Sequence, residues 1–208
     1  MKQKAQSKDA FLRCFHGVPK SMSIDIYLDD VLYIKDMLYE DFSDYLPLSQ
    51  GKHTLSIKAH HTDTVLCSRE VLISKSHIYT LVIAPHQKNS TFNLYLINDT
   101  TRSIKKEYCM VRIGSFCALE DFWKVSVLEN TLAFKKIAPH QLTHYLTFKP
   151  ANYTLKLQGL DNSTLNYESP SFLLKPSRFY TFYLVGGQTP AFPLKSVLSI
   201  DGNSFLSF

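Results

Sequence analysis

The strongest constraint on this chain is that it resembles itself about 100 residues further on. Leu12-Arg13 returns as Val111-Arg112, at an offset of 99. Asp44-Tyr45-Leu46-Pro47-Leu48 returns as His144-Tyr145-Leu146-Thr147-Phe148, at an offset of 100. His53-Thr54-Leu55-Ser56-Ile57-Lys58 returns at the same offset as Tyr153-Thr154-Leu155-Lys156-Leu157-Gln158. Ile78-Tyr79-Thr80-Leu81-Val82-Ile83 returns as Phe179-Tyr180-Thr181-Phe182-Tyr183-Leu184, at an offset of 101. Matches in one order, with a drifting offset, predict two copies of one domain. The 208 residues leave room for two domains of about 100 residues each. The expected division is a tail at 1–10, a first repeat at 11–98, a polar linker at 99–108 and a second repeat at 109–208.

Each copy reads as β. In Ser23-Ile24-Asp25-Ile26-Tyr27-Leu28-Asp29 the apolar residues alternate with polar ones, the period of a strand with one wet face. His53, Leu55, Ile57 and Ala59 alternate with Thr54, Ser56, Lys58 and His60, and Tyr153, Leu155 and Leu157 repeat the pattern against Thr154, Lys156 and Gln158. The segments 78–84 and 179–185 are apolar on both faces and suit central strands. Further strands are expected at 11–16, 31–35, 65–73, 92–97, 109–116, 124–129, 164–173 and 195–200. No segment carries a long helical stripe; the best helical candidate is a turn over 39–45. Short strands at this density predict an all-β fold of two tandem β-sandwich domains, of transthyretin or immunoglobulin type.

Composition narrows the choices. A 45% hydrophobic chain with 20% charged residues can bury a core and is not a disordered segment. Seven Gly make a phosphate-cradling loop improbable on composition, and no cofactor motif is present. Residues 1–100 carry no net charge and residues 101–208 carry the whole surplus of +5. The basic residues are scattered, so no nucleic-acid partner is expected. Met1–Ala10 has no apolar core of a signal peptide, and no stretch is long and apolar enough for a membrane span. Cytoplasmic synthesis is expected, with the final location open.

The first copy resembles a known family. Arg13-Cys14-Phe15-His16-Gly17-Val18-Pro19 followed by Ile24-Asp25-Ile26-Tyr27-Leu28-Asp29 resembles the opening of the bacterial domain of unknown function 4397. That opening reads hydrophobic-Arg, then His-Ala-x-Pro, then Val-Asp-Val-Tyr-Val-Asp. The segment 38–46, and the hairpin 48–57, are similar to later pieces of the same family. The second copy has drifted: the place of His16 falls near Ser115 or Phe116, and Val125-Ser126-Val127 replaces the Asp-containing strand. The resemblance implies tandem β-sandwiches, in envelope or secreted settings or in spore-forming bacteria. It implies no known activity.

The candidate functional residues are His16, Asp25, Asp29 and Trp123. A His beside two carboxylates could hold a metal or share a proton. The plainer reading is that His16 ends a strand and bonds a loop, while Asp25 and Asp29 face water. His60-His61 lacks a chelating partner at helical spacing, so no metal is expected. Cys14, Cys67, Cys109 and Cys117 have no zinc or redox spacing and read as reduced core residues. Phe122-Trp123 precedes a strand and reads as an exposed aromatic pair on which a sugar could stack. Asn89, Asn98, Asn152 and Asn162 head glycosylation-type triplets read as chance matches. The function expected is a non-enzymatic structural or interaction protein, a cell- or spore-surface component without a cofactor, with protein partners or self-association. The alternative is a module binding carbohydrate or envelope polymer. A third reading is a metal-dependent hydrolase using His16 and Asp25.

Overall fold

Alternation of apolar and polar residues sets the strands, and the places where it fails set the breaks between them. The structure is a computed structural model, and it describes residues 9–19, 22–86, 92–99, 103–127, 131–187 and 189–206. It divides into two compact units, Met1–Arg102 with Phe205–Phe208, and Ser103–Ser204.

The first unit contains β1 (Asp9–His16), β2 (Ile24–Leu28), β3 (Val31–Met37), β4 (Leu46–Ser49), β5 (Gly51–Ala59), β6 (Val65–Ile73), β7 (Ile78–Pro85) and β8 (Phe92–Asp99). One sheet has the order β4-β1-β7-β8 and the other β3-β2-β5-β6. Every pairing is antiparallel except β1 with β7, which run parallel with Arg13 opposite Thr80. Leu12, Cys14, Leu81 and Ile83 from one sheet meet Ile24, Ile26, Leu55 and Ile57 from the other, all at 0% exposure. Pro47 lies in β4, at the sheet edge, where the amide it lacks is least missed. β7 is buried along its whole length, as its two apolar faces require.

The second unit contains β9 (Cys109–Ser115), β10 (Trp123–Val127), β11 (Thr131–Ile137), β12 (Leu146–Phe148), β13 (Ala151–Tyr153), β14 (Leu155–Gly159), β15 (Asn166–Glu168), β16 (Phe172–Leu174), β17 (Phe179–Val185) and β18 (Lys195–Ile200). Its sheets are β12-β9-β17-β18 and β11-β10-β14-β15, with a separate β13–β16 pair. The parallel pairing recurs between β9 and β17, with Arg112 opposite Thr181. Val111, Ile113, Phe182 and Leu184 pack against Trp123, Val125, Leu155 and Leu157. Both units are therefore β-sandwiches with the same four-strand order around a parallel pair.

Three sequence expectations need correcting. The strand expected over 164–173 is two short strands in different sheets. Between them, Pro170 cannot donate to a ladder, and the Ser169 hydroxyl takes the Leu155 amide at 2.8 Å instead. The segment 39–45 holds a turn and an isolated bridge from Phe42 to Phe15, and no helix. Asp99, read as the first linker residue, is the last residue of β8 and is buried. The Asn89 triplet and most of the N-terminal tail lie outside the described residues.

Candidate functional site

β1 places Leu12 and Cys14 in the sandwich core, so Arg13 and Phe15 lie on the opposite face of the sheet. The connection 38–45 comes back across that face. Phe42 stacks on Phe15 with ring centroids 4.2 Å apart, and the Arg13 guanidinium lies 4.8 Å from Phe42 and 4.7 Å from Tyr45. Arg13 Nε donates to Thr80 Oγ1 at 3.0 Å, and the Thr80 hydroxyl donates to Asp99 Oδ2 at 3.1 Å. The Tyr45 hydroxyl donates to the same carboxylate oxygen at 3.0 Å. Arg13 is on β1, Thr80 on β7 and Asp99 on β8, and Tyr45 immediately precedes β4. Four side chains thus tie all four strands of the sheet.

The second unit builds the same tetrad. Arg112 Nε donates to Thr181 Oγ1 at 2.8 Å, and Thr181 and Tyr145 each donate to Asp201 Oδ2 at 2.6 Å. Arg112 Nη2 is 3.6 Å from that oxygen, and its guanidinium is 4.4 Å from the Tyr145 ring centroid. The offsets are 99 for Arg, 100 for Tyr, 101 for Thr and 102 for Asp. Arg, Tyr and Thr fall within the matched repeat segments. Asp does not, because its neighbours Asn98 and Ile200 share no chemistry. The tetrad residues that were legible in the sequence lacked only the partner that gives them meaning.

His16 ends β1 with no exposed surface. The Val18 amide donates to its Nδ1 at 3.4 Å, and Met22 supplies a backbone hydrogen bond. Burial lowers its pKa from 6.5 to about 4, against the partial opposition of Asp41, so the ring is neutral at pH 7. Asp25 does not join it. Asp25 Oδ1 accepts the Asp36 amide at 2.8 Å and faces His60 Nδ1 at 2.8 Å. Burial raises the Asp25 carboxyl, but the Asp36 amide and the His60 ring outweigh it and hold it below its ordinary value. Asp25 therefore does not face water: it pins a bulge, where the β2–β3 register shifts and Asp36 takes a φ of +54°.

Asp29 has a different partner again. Its carboxylate accepts the Thr54 amide at 2.8 Å and meets His53 Nδ1 at 2.6 Å, and these two hold it below its ordinary value. His16 ends a strand and bonds a loop, as the plainer reading had it; the alternative His16–Asp25–Asp29 cluster is not formed, and two separate His–Asp pairs stand in its place. Among the described residues no group of three or more His, Cys, Asp or Glu could hold a metal. Burial pushes the Cys67 thiol up to about 12 and Cys109 to about 11, and raises Cys14 and Cys117 as well.

Trp123 corrects the exposed-aromatic expectation. It is fully buried as the first residue of β10, so it offers no face for stacking a sugar. Phe122 beside it is half-buried, with Lys136 Nζ 3.8 Å from its ring centroid. Asp121 was missed. Its carboxylate accepts the amides of Leu160, Asp161 and Asn162 at 3.0, 2.9 and 2.9 Å. The turn it holds lies about 40 residues away, so no local spacing announced it. Burial raises the Asp121 carboxyl, and the amides outweigh burial to bring it below its ordinary value.

Residues 10–117 match the family described as Domain of unknown function (DUF4397), just over half of the chain. The chain belongs to that family. The DUF4397 match starts in β1 and ends just past β9, so it runs through the whole first unit and into the second. The residues that carry the family pattern here have structural duties: Arg13 in the tetrad, His16 at a strand end, Asp25 on a bulge and Asp29 on a turn. None of the curated proteins matches the sequence. Among solved structures, the tip fimbrial protein Mfa3 from Porphyromonas gingivalis, with a C-terminal truncation, is similar at 10% identity and a TM-score of 0.32. The match covers 93% of this chain and 99% of that one. CBMbc, of family CBM26, from Eubacterium rectale Amy13K in complex with maltoheptaose is similar at 8% identity and a TM-score of 0.27, covering 92% and 95%. At these TM-scores neither carries an argument about function.

Two predictions follow from this geometry. Removing one member of a buried charge pair leaves the other uncompensated, at a cost of about 3–5 kcal/mol. Trp123 is the chain's one Trp, so its fluorescence reports the second unit. Asp201→Ala should lower the stability read by that fluorescence in urea by about 3–5 kcal/mol, and Tyr145→Phe by about 1 kcal/mol. A change under about 0.5 kcal/mol for Asp201→Ala would remove the tetrad's structural role.

The depressed pKa of His16 means that the unfolded chain takes up the proton first. Its contribution is complete above about pH 6.5 and declines as pH falls toward about 4, by on the order of 3 kcal/mol in all. Stability measured by circular dichroism between pH 7 and about pH 4.5 should fall less steeply in His16→Gln than in the parent. Equal slopes would assign the acid sensitivity to other groups.

Proposed function

We propose that the chain is a non-enzymatic structural or interaction protein, a cell- or spore-surface component built from two duplicated β-sandwich modules. The observation that carries this reading is where the reactive side chains are held. The Arg, Asp, Tyr and Thr of each tetrad are closed on one another, His16 is neutral and buried, and the four thiols are raised above their ordinary range. Groups held this way stabilise a scaffold and are poorly placed to move protons or attack a substrate. The shared strand order and the tetrads at offsets of 99–102 support duplication of one module. Two similar modules on one chain suit multivalent contact.

The carbohydrate reading has less support. Trp123 is buried, and Tyr45, Tyr145, Tyr27 and Phe122 each carry a cation on a ring face. The hydrolase reading loses its pair, because Asp25 bonds to Asp36 and His60.

The test is where the native protein sits. Cells that make it are fractionated in growth and in starvation, and each fraction is immunoblotted. Recovery in an envelope or coat fraction is the expected result. Recovery as freely soluble protein alone would contradict the surface role.

A further inference from the structure

One pair of equivalent segments is opposite in charge. The segment 31–46 of the first unit holds Lys35 against Asp36, Glu40, Asp41 and Asp44, a net charge of −3. Its counterpart 131–146 holds Lys135 and Lys136 with no carboxylate, a net charge of +2. Outside this segment each half of the chain, 1–100 and 101–208, carries +3. The charge difference of 5 between these two segments equals the net difference between the halves, the differences elsewhere cancelling.

The two segments also differ in shape. In the second unit, β11 and the connection after it border an open groove of about 480 Å³. Lys135, Lys136, Gln141 and His144 line it and are exposed, while Phe134 and Leu142 supply apolar surface. In the first unit the matching segment exposes Asp36, Asp41 and Asp44, and Leu38 stands out between them at 57% exposure. One unit offers an apolar knob among acids, and the other an apolar groove among bases.

We propose that segment 36–44 of one copy docks into the Lys135–Lys136 groove of a second copy. The inference rests on reading the chain as an interaction protein, and it names the surface and the partner. Complementary potentials fix register and speed encounter. The donating and accepting surfaces differ, so a pair joined by one contact keeps one unused surface of each kind, through which it binds further copies or closes on itself as the rotation between copies dictates. Its strength depends on salt, because the charged groups are exposed.

The test is a charge-swap experiment on the full chain, read by sedimentation. Lys135→Glu/Lys136→Glu gives a chain acidic at both places, and Asp41→Lys/Asp44→Lys gives one basic at both. Asp41 also accepts the Leu38 amide at 2.9 Å, so Asp44→Lys alone is the second variant. Thermal melts establish that each variant is folded. The parent should associate at about 0.01 M salt and dissociate at about 1 M, where the Debye length drops from about 30 to about 3 Å. Each double variant alone should associate at least about tenfold more weakly, and their equimolar mixture should recover the parent's affinity.

Association of the parent that survives in both variants would overturn this surface and leave the interaction reading intact. A parent that stays monomeric at low salt would overturn self-association, and localisation would then decide the broader reading by itself. Retention of that monomer on phosphocellulose through Lys135 and Lys136 would replace the second copy with an anionic polymer.

Discussion

A guanidinium buried on a β-sheet must be matched, and in each unit that requirement organises the sheet around it. Arg13 and Arg112 are 4% and 3% exposed, and each meets a Thr hydroxyl, which in turn meets a carboxylate shared with a Tyr. The four residues come from four different strands or strand approaches. They secure the parallel pair, which no hairpin can hold. Arg13 and Thr80 are 67 residues apart, and Arg112 and Thr181 are 69 apart, so closing either contact costs considerable chain entropy. Core packing on one face and the tetrad on the other offset that cost together.

Away from the tetrad the two units differ in compensating ways. Phe15 and Phe42 stack in the first unit, whereas Gly114 and Leu142 bridge at the same place in the second. The space is filled by Phe116, whose ring lies where a Cβ on Gly114 would stand. The bulge pinned by Asp25 and Asp36 recurs in β10–β11, where the register shifts opposite Lys124 and the bulged residues are Lys135 and Lys136. The bulge is thus kept while its chemistry is reversed. The β5–β6 ladder of the first unit, which shifts register only between Ile57 and Lys58, corresponds to two short pairs in the second, with Asp121 gathering the amides of the turn. Such differences around a shared tetrad, parallel pair and bulge are what a scaffold constraint predicts.

Much of the fold was legible because strand periodicity is local. Ile24, Ile26, Leu55 and Ile57 announced their face, and 78–84 announced a strand buried on both sides. The break at Ser169-Pro170 was not foreseen, because apolar residues on both sides imitate one strand. The candidate site was less legible because its partners are distant in sequence. Asp25 finds His60 across 35 residues, and Tyr45 finds Asp99 across 54. Trp123 was misread because a core aromatic at a strand start has the same sequence signature as an exposed one. The drift of the repeat offset was the best available signal, and extending it by one more step would have reached Asp201.

The most direct measurement is a double-mutant cycle on Arg112 and Asp201, read by Trp123 fluorescence in urea on the full chain at pH 7. Arg112→Met and Asp201→Ala each leave a buried charge unmatched, whereas the double variant leaves no buried charge in the tetrad. If the tetrad holds the sheet, the double variant should be more stable than the sum of the single losses implies, with a coupling of at least about 1.5 kcal/mol. Additive losses within about 0.5 kcal/mol would show that the two residues act independently, and would contradict the claim that this network ties the strands together.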